Sequence, residues 1–253
     1  MSFRAIRRAV ALMFVLLSSI LHFWLMRLEG PLTPERRARW LHATCIRVLR
    51  SIDIRCEVEG GVPTHGVVVS NHLSYLDIVI LSAAMPCFFI AKAEIDAWPY
   101  FGKAARAGGT LFIDRSSLAS AKQVSAVIAQ RLTLPIPVLF FPEGTSTDGA
   151  MLRFHSRLFQ PAIDARVPVT AASIRYAMSD GAPERDLCWY GDDAFAPHLL
   201  RTLRAQGIHA KLQFGNPRVY PHRRIAADET FLEIAAMRAG AMEHHTVKAL
   251  QSA

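Results

Sequence analysis

From Ile54 onward, short apolar runs rich in β-branched residues alternate with longer helical patterns, and this alternation constrains the architecture most. The candidate strands are Ile54–Val58, Val67–Ser70, Phe88–Ala91, Thr110–Ile113, Ile136–Phe141, Val167–Ile174 and Lys211–Phe214. Helical patterns lie between most of them, at Ser74–Met85, Trp98–Ala107, Leu118–Leu132 and Pro197–Gln206, with a last one around Glu229–Leu250. Such a chain predicts an α/β fold with a mostly parallel central sheet flanked by helices on both faces. There is no internal repeat, no low-complexity run and no long linker. Residues 53–253 therefore read as one α/β domain, preceded by a different kind of segment over 1–52.

That first segment reads as a helical membrane anchor. Arg4, Arg7 and Arg8 precede the apolar run Ala9–Leu21, which resumes after His22 and ends at Arg27. No small-x-small cleavage site follows, which argues against a signal peptide. Residues 9–26 would rise about 27 Å, slightly short of a hydrocarbon core of about 30 Å. Arginines flank both ends, so the positive-inside rule assigns no orientation. Pro34 opens a second pattern, in which Trp40, Leu41, Ile46, Val48, Leu49 and Ile52 alternate with Arg36, Arg37, Arg39, Arg47 and Arg50. This is either a solvated basic face or a basic amphipathic helix lying on anionic lipid. The two helices suggest a monotopic or re-entrant anchor rather than a single span. Net charge is +8, which suits nucleic acid or an anionic membrane. Neither a zinc-ligand spacing nor an RNA-binding aromatic motif is present, so membrane phospholipid is the expected partner and nucleic acid is not. Cys45, Cys56, Cys87 and Cys188 are scattered, which fits a reducing compartment. His244 and His245 are adjacent and cannot share a helix face, so no metal site is expected there.

Chemistry concentrates where strands end. Val67–Val69 reads as a buried strand, and Ser74 with Asp77 three residues on reads as a helix start. His72 then occupies a strand-to-helix turn, at the edge where open α/β sheets hold ligands. A fully helical spacing of five residues would set Asp77 about 140° from His72. From the turn, however, His72 can fold back on the first-turn carboxylate. A carboxylate on one ring nitrogen would fix the tautomer and raise the basicity of the other. The residues alone leave two readings open: a His72–Asp77 general-base pair, or a turn histidine beside a capping aspartate. Arg115 follows the apolar strand Thr110–Ile113 and could grip a phosphate bidentately or simply pair with Asp114. Glu143 and Gly144 follow the strand Ile136–Phe141, whose Pro137 must sit at its start or at an edge. Glu143 could accept a hydrogen bond from a substrate hydroxyl or hold a basic partner, and Gly144 lets backbone approach a ligand; a simple polar turn is the alternative.

Asn71-His72-Leu73-Ser74-Tyr75-Leu76-Asp77 resembles the His-x4-Asp motif of the glycerolipid acyltransferase family, which includes lysophosphatidic acid acyltransferases. Gly109–Arg115, Phe141-Pro142-Glu143-Gly144-Thr145 and Val167-Pro168-Val169 resemble that family's later blocks, in its order, over roughly residues 71–171. The resemblance implies His72 as general base, Asp77 as its orienting partner, Arg115 as the ligand of an acceptor phosphate, and Glu143, Gly144 and Thr145 in acceptor binding. It implies acyl-CoA or acyl carrier protein as donor, a lysolipid as acceptor, no cofactor, and membrane association on the cytoplasmic face of the inner membrane. No oxyanion hole is identifiable from the sequence, and the backbone N–H groups of the turn beside His72 are one candidate. Two departures bear on the acceptor. Many lysophosphatidic acid enzymes have arginine after the threonine, where this chain has Ser146, and a second proline where it has Ala171. Trp189–Asp192 and Pro197–Leu200 resemble a bacterial subset that includes lyso-ornithine lipid acyltransferases. His198, within that second stretch, reads as helix-start structure. Lyso-ornithine lipid is thus the alternative acceptor. A non-catalytic lipid-binding protein on the same fold is a rival from another class. A hydrolase is a third reading, against which stands the lack of a Gly-x-Ser-x-Gly elbow.

Overall fold

The computed structural model describes residues 2–97, 101–113 and 126–251. The helices are α1 (Phe3–Glu29), α2 (Pro34–Ser51), α3 (Tyr75–Ala84), α4 (Ala93–Asp96), α5 (Phe101–Ala107), α6 (described over 126–132), α7 (Gln160–Asp164), α8 (Phe195–Arg204) and α9 (Arg223–Gln251). The strands are β1 (Ile54–Glu59), β2 (Val67–Ser70), β3 (Phe88–Lys92), β4 (Leu111–Ile113), β5 (Val138–Phe140), β6 (Val169–Met178) and β7 (Ile208–Phe214). They form a seven-stranded sheet in the order β1-β7-β6-β2-β5-β3-β4. Every neighbouring pair is parallel except β6 and β7.

The alternation of side chains explains the layers. Val68 and Leu139 point to one face, while Val67, Val69, Val138 and Phe140 point to the other. The first face is closed by α2, α3 and α8 through residues such as Leu49, Leu76, Ile80 and Leu203. The second is closed by α6 and α9 through Ile128, Leu132, Ala226 and Ile234. Strands buried on both sides need continuous apolar runs, which is why β2, β5 and the start of β6 read so clearly. Pro137 stands just before β5, where its carbonyl accepts the Phe88 N–H at 2.9 Å. β6 runs four residues past the expected Ile174. Its second half, Ala172–Met178, pairs antiparallel with Phe214–Ile208, which also starts β7 three residues earlier than expected.

α1 and α2 form an antiparallel hairpin that lies along the domain. Arg8 is buried and bonds Asp53, the Leu203 carbonyl at 3.2 Å and the Ala205 carbonyl at 2.7 Å. Asp53 takes a left-handed turn after α2, with φ 55°, and also pairs with Arg7. Further along, the Trp40 indole donates to the Ser19 carbonyl at 3.2 Å and packs edge-on against Phe23. At the far end Arg36 meets Glu29 at 3.0 Å. α2 itself is bonded to α3 through His42 and the Ser82 carbonyl, 2.7 Å apart. Its apolar residues Ala38, Trp40, Cys45 and Leu49 are buried by protein, so the expectation that this helix lies on lipid through its apolar face is not met. The apolar surface is on α1 instead, where Phe14, Leu17, Leu21 and Trp24 are more than half exposed.

Candidate active site

The carboxyl ends of the adjacent strands β2 and β5 bring two loops together. β2 ends at Ser70, and Asn71 then turns the chain. Its side chain donates to the Ile174 carbonyl at 3.1 Å and accepts the Ile174 N–H at 2.9 Å, clamping the loop to β6. Ser74 caps α3 and Asp77 closes a capping box with it. The same aspartate reaches back to His72, whose Nδ1 lies 2.7 Å from Oδ2. One carboxylate thus both caps the helix and holds the imidazole, so the contact of the first reading and the cap of the second are compatible.

Asp77 is fully buried, and four donors surround it. Oδ2 accepts the Leu73 N–H at 2.6 Å and the Ser74 N–H at 2.9 Å besides His72, while Oδ1 accepts the Tyr176 hydroxyl. A carboxylate only accepts, so Nδ1 of His72 carries a proton and Nε2 presents a lone pair. The ring is held flat against Phe141, with centroids 3.9 Å apart and planes 11° apart. Its side chain is 18% exposed, so the ring is supported from behind and partly open in front.

Glu143 stands in the second loop and differs from its expected role. Its Oε1 accepts the His72 N–H at 2.9 Å and its Oε2 accepts the Leu152 N–H at 2.8 Å. The residue is 4% exposed. With both oxygens held by backbone and no open face, it braces the two loops rather than offering a carboxylate to a substrate. Burial pushes its carboxyl above the ordinary range, against the opposing pull of those two backbone donors. Gly144 has φ 77°, a left-handed turn that suits glycine. Thr145 is exposed at the loop tip, and the Thr147 N–H returns to the His72 carbonyl at 3.0 Å. Arg115 lies outside the described residues, as do Asp114, Trp98 and Pro99.

The N–H groups beside His72 do not form an oxyanion hole. His72 donates to Glu143, and Leu73 and Ser74 donate to Asp77. All three are committed to holding the histidine, so negative charge in a transition state must be met from elsewhere.

Two features were not apparent in the sequence. Tyr176 is 99 positions from Asp77, and nothing in its local pattern points to it. Ser146, the departure after Thr145, donates to the Trp189 carbonyl at 2.5 Å, and the Trp189 N–H donates to the Leu73 carbonyl at 2.8 Å. The segment around Trp189 is thus fixed against the catalytic turn. His198 is fully buried and bonds the Tyr75 hydroxyl at 3.0 Å, as a structural partner beneath that turn.

A family model described as Acyltransferase matches residues 53–175. The lyso-ornithine lipid O-acyltransferase of Pseudomonas aeruginosa is 38% identical over 193 residues, covering 74% of this chain and 73% of that protein. The chain belongs to the glycerolipid acyltransferase family. The 1-acyl-sn-glycerol-3-phosphate acyltransferase of Neisseria gonorrhoeae is 40% identical over 185 residues, covering 72% of each chain. Among solved structures, the 1-acyl-sn-glycerophosphate acyltransferase PlsC of Thermotoga maritima superposes with a TM-score of 0.66 over 95% of this chain and 98% of that one, at 17% identity. That likeness concerns the fold: a glycerolipid acyltransferase sheet with an N-terminal apolar helix. Membership makes the chain an acyltransferase, with a lysolipid acceptor and an acyl donor as its substrate classes.

Proposed function

We propose that this protein moves a fatty acyl group from acyl-CoA or acyl carrier protein to the free hydroxyl of lysophosphatidic acid, forming phosphatidic acid. The observation that carries the reading is the buried Asp77 holding Nδ1 of His72 and leaving Nε2 as base. Nε2 takes the hydroxyl proton as the oxygen attacks the thioester carbonyl. The C–S bond then breaks, and the imidazolium returns the proton to the leaving thiolate. A thioester is already activated, so the step calls for no metal or redox cofactor. Arg115, which follows β4 by two residues in the sequence, is the proposed phosphate ligand, with the Gly144–Thr145 turn beside the acceptor.

A second acceptor is favoured by one observation. The Ser146–Trp189 bond ties the residue that departs from the lysophosphatidic acid pattern to the segment resembling lyso-ornithine enzymes. A lyso-ornithine acceptor has no phosphate for Arg115.

The enzyme works at a membrane surface, on the cytoplasmic face where its donor is made. α1 is long and apolar enough to cross a bilayer. It is also fastened along α2, and a perpendicular span would draw Arg36, Arg37 and Arg47 towards hydrocarbon, at roughly 2.5–3.5 kcal/mol each at the centre. Lying in the interface costs no such burial, so the monotopic arrangement is the one proposed.

The test is labelled acyl transfer by detergent-purified protein, offering both donors against lysophosphatidic acid and lyso-ornithine lipid, with His72→Ala alongside. Transfer to lysophosphatidic acid that the variant loses supports the reading. Transfer to lyso-ornithine lipid alone replaces the acceptor. Release of free fatty acid without an acceptor points to a hydrolase, and no thioester turnover at all returns the fold to a lipid-binding role.

A further inference from the structure

The His72–Asp77 pair is bonded from behind by a residue on a different strand from the His72 turn. Tyr176 is 4% exposed, and its hydroxyl donates to Oδ1 of Asp77, while Oδ2 accepts Nδ1–H of His72 at 2.7 Å. Phenol, carboxylate and imidazole therefore form one line of hydrogen bonds from the core to the surface. Tyr176 is held at both ends. Its backbone N–H donates to the Glu184 carboxylate at 2.8 Å, and Glu184 is gripped by Arg238 at 2.9 Å. Arg238 also donates to the Ile174 carbonyl at 2.7 Å, which braces β6.

We propose that Tyr176 is a positioning residue of the reaction, one that sets the basicity of His72 through Asp77 without touching substrate. Its kinetic consequences rest on the acyl-transfer reading above, whereas its effect on the imidazole does not.

The physical reason is a competition for one negative charge. A buried carboxylate shares its charge among its donors, and a donor at Oδ1 draws density away from Oδ2. The weaker the charge at Oδ2, the less an imidazolium is favoured over the neutral ring. Tyr176 can serve only as a donor here, because burial and then the Asp77 charge push its phenol well above its ordinary range. The other groups facing these residues do not replace it. Towards Tyr176 stand Glu184, paired with Arg238, and Cys188, whose thiol burial pushes up to about 12. Towards His72 stands Glu143, itself bonded to backbone, with Arg238 acting on Glu143 from α9.

The experiment follows the His72 imidazole by NMR titration, its resonance assigned by loss in His72→Ala, in wild type, Tyr176→Phe and a variant carrying ring-fluorinated tyrosine at 176. Removing the donor should raise the midpoint of the imidazole titration by about one pH unit. The fluorinated phenol is a stronger donor of nearly the same size and should move it the opposite way. In acyl transfer the acidic limb of kcat/KM should follow each shift. At neutral pH Tyr176→Phe should lose up to about tenfold in kcat, the limit that a one-unit rise sets on the free-base fraction, with acceptor KM unchanged. A purely structural role would lower activity equally at every pH and leave the imidazole where it was, and that result overturns the proposal. Should Tyr176→Phe fail to fold, the fluorinated variant decides alone by the direction of its shift. If wild type transfers no acyl group while the imidazole shifts as expected, the function reading fails and the role of Tyr176 stands.

Discussion

His72 and Asp77 are the proposed catalytic pair but are unequal in structure, and that inequality gives the first prediction. His72 is partly open, and without its ring Asp77 still has three donors. His72→Ala should therefore lower turnover by at least about 10²-fold with an unfolding midpoint close to wild type. Asp77→Ala removes an acceptor from two buried N–H groups and a buried hydroxyl. At about 1–3 kcal/mol for each stranded donor, it should lose about 3 kcal/mol of stability or more as well as activity. Turnover and denaturant unfolding of both variants separate the roles, and equal stability losses would contradict this account. Glu143 supplies a pH test. Its folded carboxyl is raised above the unfolded value, so the neutral form favours the fold. That contribution is full below an ordinary glutamate value, about 4.3, and is lost as pH rises through the raised value. Glu143→Gln cannot ionise. The difference in midpoint, wild type minus variant, should fall with rising pH over this window. A difference that is flat with pH, or that rises, would assign the carboxyl the opposite sign. His72, Asp77 and the Glu143 turn were readable because each follows an apolar run at a strand end. Tyr176 was not, because only the pairing of β6 against β2 brings it to Asp77.

Among the described residues, α1 carries the largest run of exposed apolar side chains. Phe14, Leu17 and Leu21 lie at helical spacing and are 72%, 60% and 61% exposed. Burying each in lipid is worth roughly 1.5–3 kcal/mol. Replacing all three by serine should then lower liposome binding on the order of 10³-fold, while transfer to a soluble short-chain acceptor in detergent stays close to wild type. Flotation and assay of one preparation check both halves, and undiminished flotation would move the membrane face elsewhere. The sequence pointed to the apolar stripe of α1 but misjudged α2. Periodicity reports that a helix has an apolar face and not what covers it. The face of α2 turned out to be filled by α1 and α3. Strand ends were misjudged for a related reason. β6 and β7 extend where antiparallel pairing continues past the doubly buried core, and there Arg175 in β6 and His209 in β7 interrupt the apolar run that would mark a strand.

For the molecule as a whole, the division at residue 52 suggested by composition does not match the packing. Leu49 and Ile52 belong to one core layer and Ala38 to the other, so α2 is a wall of the α/β body. Near its start, α1 is fastened to that body by a buried charge. Arg8 spans Asp53, at the end of α2, and two carbonyls at the end of α8, where a cation also complements the helix terminus. Breaking it strands Asp53 with the exposed Arg7 and leaves two carbonyls without their donor. Arg8→Ala should cost about 3 kcal/mol or more, although residue 8 is remote in sequence from every motif of the site. Deleting residues 2–30 should do more, because it also uncovers Trp40 and Ala5 leaves the core. If 1–52 were a separable anchor, both changes would lower membrane binding and leave unfolding in detergent unaltered. The packing requires instead that unfolding shift in both, and that the helix touching lipid and the domain carrying His72 lose stability together.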